Sequence, residues 1–99
     1  MIVAATTSDI MDRSRIGSSI PDVRFGLDLS AEVVIIDISR DAGQVAEIRA
    51  AIPSARIVCY GPHVDDEAAG AARAAGADVV LPRSRFFRDP AAAIAPAER

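Results

Sequence analysis

Residues 31–39 read AEVVIIDIS. The run from Val33 to Ile38 is almost unbroken apolar, and Val, Ile and Ile in succession suit a central parallel strand covered on both faces. Asp37 sits at the end of that run, where an exposed loop should begin. The same pattern recurs outward. Residues 1–6, MIVAAT, form a short apolar run that ends in the polar cluster Thr6, Thr7, Ser8 and Asp9. Residues 56–60, RIVCY, are closed by the turn pair Gly61 and Pro62, and residues 78–81, DVVL, by Pro82 and a polar, basic turn. Residues 22–26 alternate Val23 and Phe25 with Asp22 and Arg24, the period of a half-exposed edge strand.

Helical patterns separate these runs. Residues 9–19 place Ile10, Ile16 and Gly17 in one arc with Ile20; Ser8 or Asp9 caps the start, Pro21 closes the segment, and Arg13 interrupts the arc. Residues 41–52 put Val45, Ile48 and Ile52 on one side and Glu47 and Arg49 on the other, ahead of Pro53. Asp65 or Asp66 can cap an Ala-rich helix that runs to Ala75 and stops at Gly76, and a short helix is expected over residues 90–95. Strands alternating with helices imply an α/β domain, a parallel sheet with helices on its faces. One connection is too short. Only about five residues lie between Gly26 and Glu32, where a parallel crossover usually takes at least about 10 to 12. The helix between the second and third strands should be missing, with residues 27–31 extended or in a turn.

Composition bounds the rest. A chain of 99 residues suits one domain, residues 1–99, with one core. Its 11 basic and 14 acidic residues give a net charge of −3, which disfavours a nucleic-acid binder. Hydrophobic residues at 51% can fill a core. All the basic residues are Arg, a compositional bias without mechanistic weight. Cys59 alone cannot form an internal disulfide, no stretch is long and apolar enough for a membrane span, and the N-terminus lacks a basic, signal-type start. A reducing cytoplasm is the expected location.

In such sheets chemistry collects just beyond the carboxyl ends of the strands. Taken together, AEVVIIDIS, RIVCYGPHVDDE and AAGADVVLPRSRF resemble the third, fourth and fifth strand regions of the receiver domain of bacterial response regulators, and the layout resembles that domain over nearly the whole chain. The resemblance implies a three-layer, doubly wound, flavodoxin-like (CheY-like) sheet of order 2-1-3-4-5. By position, Asp37 matches the family's phosphoacceptor. Thr6 and Thr7 stand where two Mg²⁺-binding acids are expected, Gly61 where a Thr or Ser is expected, and Arg83 where a Lys is expected. Ser84 then replaces a Pro. Mg²⁺ prefers several charged or phosphate oxygens, so a lone Asp37 is a poor cage. Phosphoryl transfer depends on positioned cations and donors, and most are replaced here.

Plainer roles stand beside these. Asp37 could cap a turn or pair with Arg83, and Asp9 is more useful as a helix cap than as a substitute acid. His63 is the only His and makes no metal cluster; Cys59 suits a core position. Arg83, Arg85 and Arg88 form a basic cluster in which Arg83 and Arg85 could touch an anion, and of Phe86 and Phe87 one should be buried and one face a partner. The expectation is a degenerate receiver (pseudo-receiver) without enzymatic activity, cofactor or metal. It would act through a protein partner independently of phosphorylation and self-associate as a homodimer. The alternatives are a two-component receiver phosphorylated on Asp37, and a small anion or nucleotide binder using Arg83, Arg85 and the helix start after Pro62.

Overall fold

β3 (Val33–Asp37) lies mid-sheet with all five residues buried. It pairs in parallel with β1 (Val3–Ala5) on one side and β4 (Arg56–Gly61) on the other. β2 (Arg24–Phe25) flanks β1 and β5 (Val79–Pro82) flanks β4, so the sheet is parallel throughout with order β2-β1-β3-β4-β5. The helices are α1 (Ile10–Ser19), α2 (Gln44–Ala51), α3 (Asp66–Ala75), α4 (Arg83–Phe86) and α5 (Pro90–Ile94). This computed structural model describes residues 1–39, 42–62 and 66–95. The expected helix starts at Asp41 and Asp65, and His63, lie outside the described residues.

Period-two alternation divides the core. Val34, Ile36, Ile57 and Cys59 face one layer with Val45 and Ile48 of α2 and Ala72 of α3. Val33, Ile35, Val58 and Tyr60 face the other with Ile16 of α1, Phe86 of α4 and Ile94 of α5. Cys59 is the core residue its strand implied, and burial, with the charge of Asp78, pushes its thiol up to about 12. Among the described residues no helix is long and apolar enough to cross a membrane.

Several local expectations need correction. In α1 the buried stripe is Asp12, Ile16 and Ile20, at helical spacing, and Ile10 is 81% exposed. Arg13 is exposed, with its guanidinium over the Phe25 ring and Nε donating to Thr7 O. The edge strand shrinks from five residues to two. The expected turn after Pro82 is helical, as α4.

The short β2 explains how the chain returns without a helix. Arg24 and Phe25 pair with Ala4 and Ala5, and β3 begins beside Val3. The axial distance to recover is therefore only about 7 Å, and crossing two strand spacings adds about 10 Å, which the residues between the strands span without a helix. A longer β2 would demand a longer return. The link is held in shape locally. Gly26, at φ +108°, donates its N–H to Ala5 O at 2.9 Å. Asp28 Oδ1 accepts from Ser30 N and Oγ, and Oδ2 pairs with Arg24 at 2.7 Å. These partners, Ser30 first, pull the Asp28 carboxyl down to about 2. Ala31 then drops into the core, leaving Leu27 and Leu29 exposed.

At the other side of the sheet Gly76, at φ +123°, ends α3 with its N–H on Arg73 O and that of Ala77 on Ala72 O, a Schellman stop. Arg49 packs against this glycine and donates to Gly76 O, Pro53 O, Ala55 O and Asp78, tying α2 to the entries of β4 and β5. A Cβ on Gly76 would meet Arg49 Cβ and Cγ at 2.8 Å, whereas one on Gly70, within α3, meets nothing within 4 Å. Gly76→Ala should therefore lose more than about 1 kcal/mol, and Gly70→Ala should gain about 0.5–1 kcal/mol, in urea unfolding followed by circular dichroism.

Candidate functional site

The carboxyl ends of β1, β3 and β4 and the start of α4 bring Thr6, Thr7, Asp37, Gly61 and Arg83 to one edge of the sheet. Asp37 is 8% exposed, and its Oδ1 accepts from Ser39 N at 3.0 Å and Ser39 Oγ at 2.5 Å. It thus caps its own turn. Thr6 Oγ1 donates to Gln44 Oε1 at 2.6 Å, joining β1 to the first turn of α2. Gly61 is buried and offers no side-chain donor.

Arg83 does not pair with Asp37, which corrects that expectation. Its Nη1 and Nη2 donate to Asp12 Oδ2 and Oδ1 at 2.7 and 2.6 Å, a bidentate fork from the first residue of α4 to α1. Asp12 is 1% exposed. The Tyr60 hydroxyl lies 2.9 Å from both Asp12 Oδ2 and Thr7 Oγ1. With one proton to give and a carboxylate that only accepts, it donates to Asp12 and is left to accept from Thr7. The guanidinium also lies 4.8 Å from the centroid of Phe87 and 5.7 Å from that of Tyr60. Phe86 stacks on Tyr60 at 4.7 Å, and Phe87 meets both rings edge-on. Phe86 is fully buried, whereas Phe87 is half-buried and keeps one side on the surface groove beside α1.

Each ionisation follows from this packing. Hydrogen bonds from Arg83 hold the Asp12 carboxyl below its usual range, burial opposes that with a smaller effect, and Tyr60 reinforces it. Asp12 in turn raises Arg83, and desolvation raises the Tyr60 phenol. Asp9 acts as the helix cap, accepting from Asp12 N at 3.0 Å. Arg85 is exposed and lines a surface groove with Arg88, apart from Arg83.

Asp12 and Tyr60 went unnoticed in the sequence. A signal existed for Asp12, a charge placed four residues before Ile16 and eight before Ile20, inside the apolar stripe. Nothing local points from Tyr60 to α1.

No family model and no curated protein matches the chain. Solved structures do. An atypical orphan response regulator superposes with a TM-score of 0.77 at 15% identity, covering 95% of this chain and 92% of that one. A CheY-like response regulator from Mesorhizobium loti gives 0.73 at 17% identity over 93% of both chains. An orphan response regulator of H. pylori gives 0.73 at 12% identity over 96% of this chain and 97% of that one. The chain has the receiver, CheY-like, fold.

That fold implies a Mg²⁺ site, and the donors here do not fit one. Of Thr6, Thr7 and Asp37 only Asp37 carries charge, and both threonine hydroxyls are engaged with protein partners. Both oxygens of Asp12 are held by Arg83. A dication needs several hard, charged oxygens to offset its dehydration. Among the described residues no three His, Cys, Asp or Glu side chains converge.

Removing the fork should be costly. Arg83→Ala leaves Asp12 ionised and buried, and because the guanidinium is 35% exposed the expected loss in urea unfolding at pH 7 is about 3 kcal/mol, the low end for a broken buried pair. The acid limb carries a second expectation. A carboxyl depressed in the folded state contributes stability that is complete above its unfolded value of about 4 and is lost as pH falls through the folded value. Stability measured from pH 7 down to 2 should fall below about pH 4 in the native chain and fall less in Asp12→Asn. Asp28 titrates alike in both proteins, so the difference reports Asp12.

Proposed function

We propose that the chain is a degenerate receiver, a non-enzymatic cytoplasmic signalling module that works through protein–protein contacts without phosphorylation. The observation that carries this is the bidentate grip of Arg83 on Asp12. The cation that would stabilise a phosphoryl group beside Asp37 is already neutralised on α1. Asp37 meanwhile serves its own turn through Ser39, and Gly61 has no hydroxyl to follow a phosphoryl oxygen. An aspartate phosphorylated here would lack the donors that convert the added charge into movement. One of the similar structures is described as having a phosphorylation-independent regulatory mechanism, which supports the same reading for this chain.

The second reading, phosphoryl acceptance at Asp37, is favoured by the position of that residue at the carboxyl end of β3. An amide NMR titration with Mg²⁺ and then beryllofluoride separates the two. The expected result is no saturable shift at Asp37, Gly61 or Arg83; shifts spreading from Asp37 into β5 would establish the second reading. The anion or nucleotide cradle is the poorer reading, because Arg83 is committed to Asp12; Arg85 is exposed, and residues 63–65 lie outside the described ones.

Self-association belongs to the same proposal. The return link exposes Leu27 by 55% and Leu29 by 69%, apolar surface that a second copy would cover. Sedimentation at micromolar concentration should show a dimer, and Leu29→Asp should shift it to monomer.

A further inference from the structure

The surface arginines are unevenly placed. α1 and the stretch from α4 to α5 carry Arg13, Arg15, Arg83, Arg85 and Arg88, in a chain whose net charge is −3. The acids on the same elements are engaged. Asp12 holds Arg83, Asp9 caps α1, and Asp89 caps α5 by accepting from Ala92 N. Asp12 is buried, Asp9 and Asp89 each accept a backbone amide, and of the three only Asp89 is exposed. What reaches solvent on this face is predominantly guanidinium.

Between α1 and the α4–α5 stretch runs an open groove of about 500 Å³. Ser14 and Ser18, one helical turn apart on α1, line one side, Arg88 lines the other, and Phe87 and Pro90 supply apolar surface. Arg15 lies over the Phe87 ring, its guanidinium carbon 5.6 Å from the centroid. Neither Arg15 nor Arg88 has a salt bridge among the described residues. Arg85 and Arg88 continue the basic surface over the far side of α5.

We infer that this groove docks an acidic segment of a partner protein, with one apolar side chain on Phe87 and Pro90 and flanking carboxylates on Arg15 and Arg88. Its openness suits a chain segment better than a small molecule, which needs enclosure to bury most of its surface. An aromatic floor between unpaired arginines is the arrangement of an interface anchor with a charged rim. Arginine's planar fork takes a carboxylate through two parallel bonds, and the two serine hydroxyls add donors along the same wall. Asp89 lines the groove and opposes any anion. A peptide needs carboxylates only at Arg15 and Arg88, however, whereas a nucleic acid draws its affinity from a long basic surface that a chain of net charge −3 lacks. The inference rests on the phosphorylation-independent reading and supplies the chemistry of its partner.

The test uses the full chain and a fluorescein-labelled twelve-residue peptide of glutamates around a central Leu-Leu pair, followed by anisotropy at low and high salt. Saturable binding is expected that weakens with salt, drops at least tenfold in Arg15→Glu and in Arg88→Glu, and is unchanged in Arg73→Glu on α3. A matched peptide with Gln for Glu, and a single-stranded RNA of the same length, should bind at least tenfold more weakly. Circular dichroism melts confirm that each variant folds. Equal binding by all variants, tighter binding of RNA, or loss on Arg73→Glu would each overturn the assignment. So would sedimentation showing that the groove is filled by a second copy, with self-association abolished by Arg88→Glu. Repeating the titration with Mg²⁺ and beryllofluoride keeps the two proposals apart. No binding in either condition removes the groove and leaves phosphorylation independence standing, whereas binding only with beryllofluoride removes that independence.

Discussion

The pair between Asp12 and Arg83 is the constraint on which the carboxyl edge of this sheet depends. A carboxylate 1% exposed would be untenable alone, since the desolvation of an isolated charge exceeds what burial of its neighbours returns. Two short bonds from one guanidinium, and a third from Tyr60, make it tenable. Those bonds fix the α1 register, hold the first turn of α4 against the sheet, and orient Tyr60 so that its ring stacks on Phe86. Because α4 and α5 are short, this polar tie and the aromatic cluster replace part of the apolar contact that a long terminal helix would make.

The same pair bears on the proposed independence from phosphorylation. A phosphoryl switch needs a cation that is free to follow added charge, and here the cation is bound before any charge is added. Arg suits that role better than Lys, since only a planar fork can satisfy both carboxylate oxygens at once. Thr6 and Thr7 have likewise become structural, one bonded to Gln44 and the other to Tyr60. Thr6, Thr7, Asp37 and Arg83 thus each make internal ties, while Arg15, Arg85 and Arg88 face solvent.

The link from β2 to β3 shows a different economy. Removing a crossover helix is tolerable only if the strand before it is short, and β2 is two residues long. Asp28 then acts as a local fastener, accepting from Ser30 and Arg24, while Ala31 fills the place a helix face would take.

Much of this was determined locally and therefore legible in the chain. The apolar runs of β3 and β4 are covered on both faces and carry their burial in composition. Val45, Ile48 and Ile52 mark the inner side of α2 by spacing, Gly76 marks the end of α3 by its backbone, and the length of residues 26–32 excludes a helix. What no local pattern contains is which charge finds which. Arg83 was legible as a cation where the resemblance expects a Lys, but its choice of Asp12 over Asp37 joins residues 71 apart. The face of α1 that turns inward buries Asp12 beside Ile16 and leaves Ile10 exposed, and the contact with Arg83 makes that buried charge tolerable. Periodicity reports the average gain from burying apolar surface, whereas a bidentate charge pair is a single interaction that exists only once the sheet has brought its two ends together.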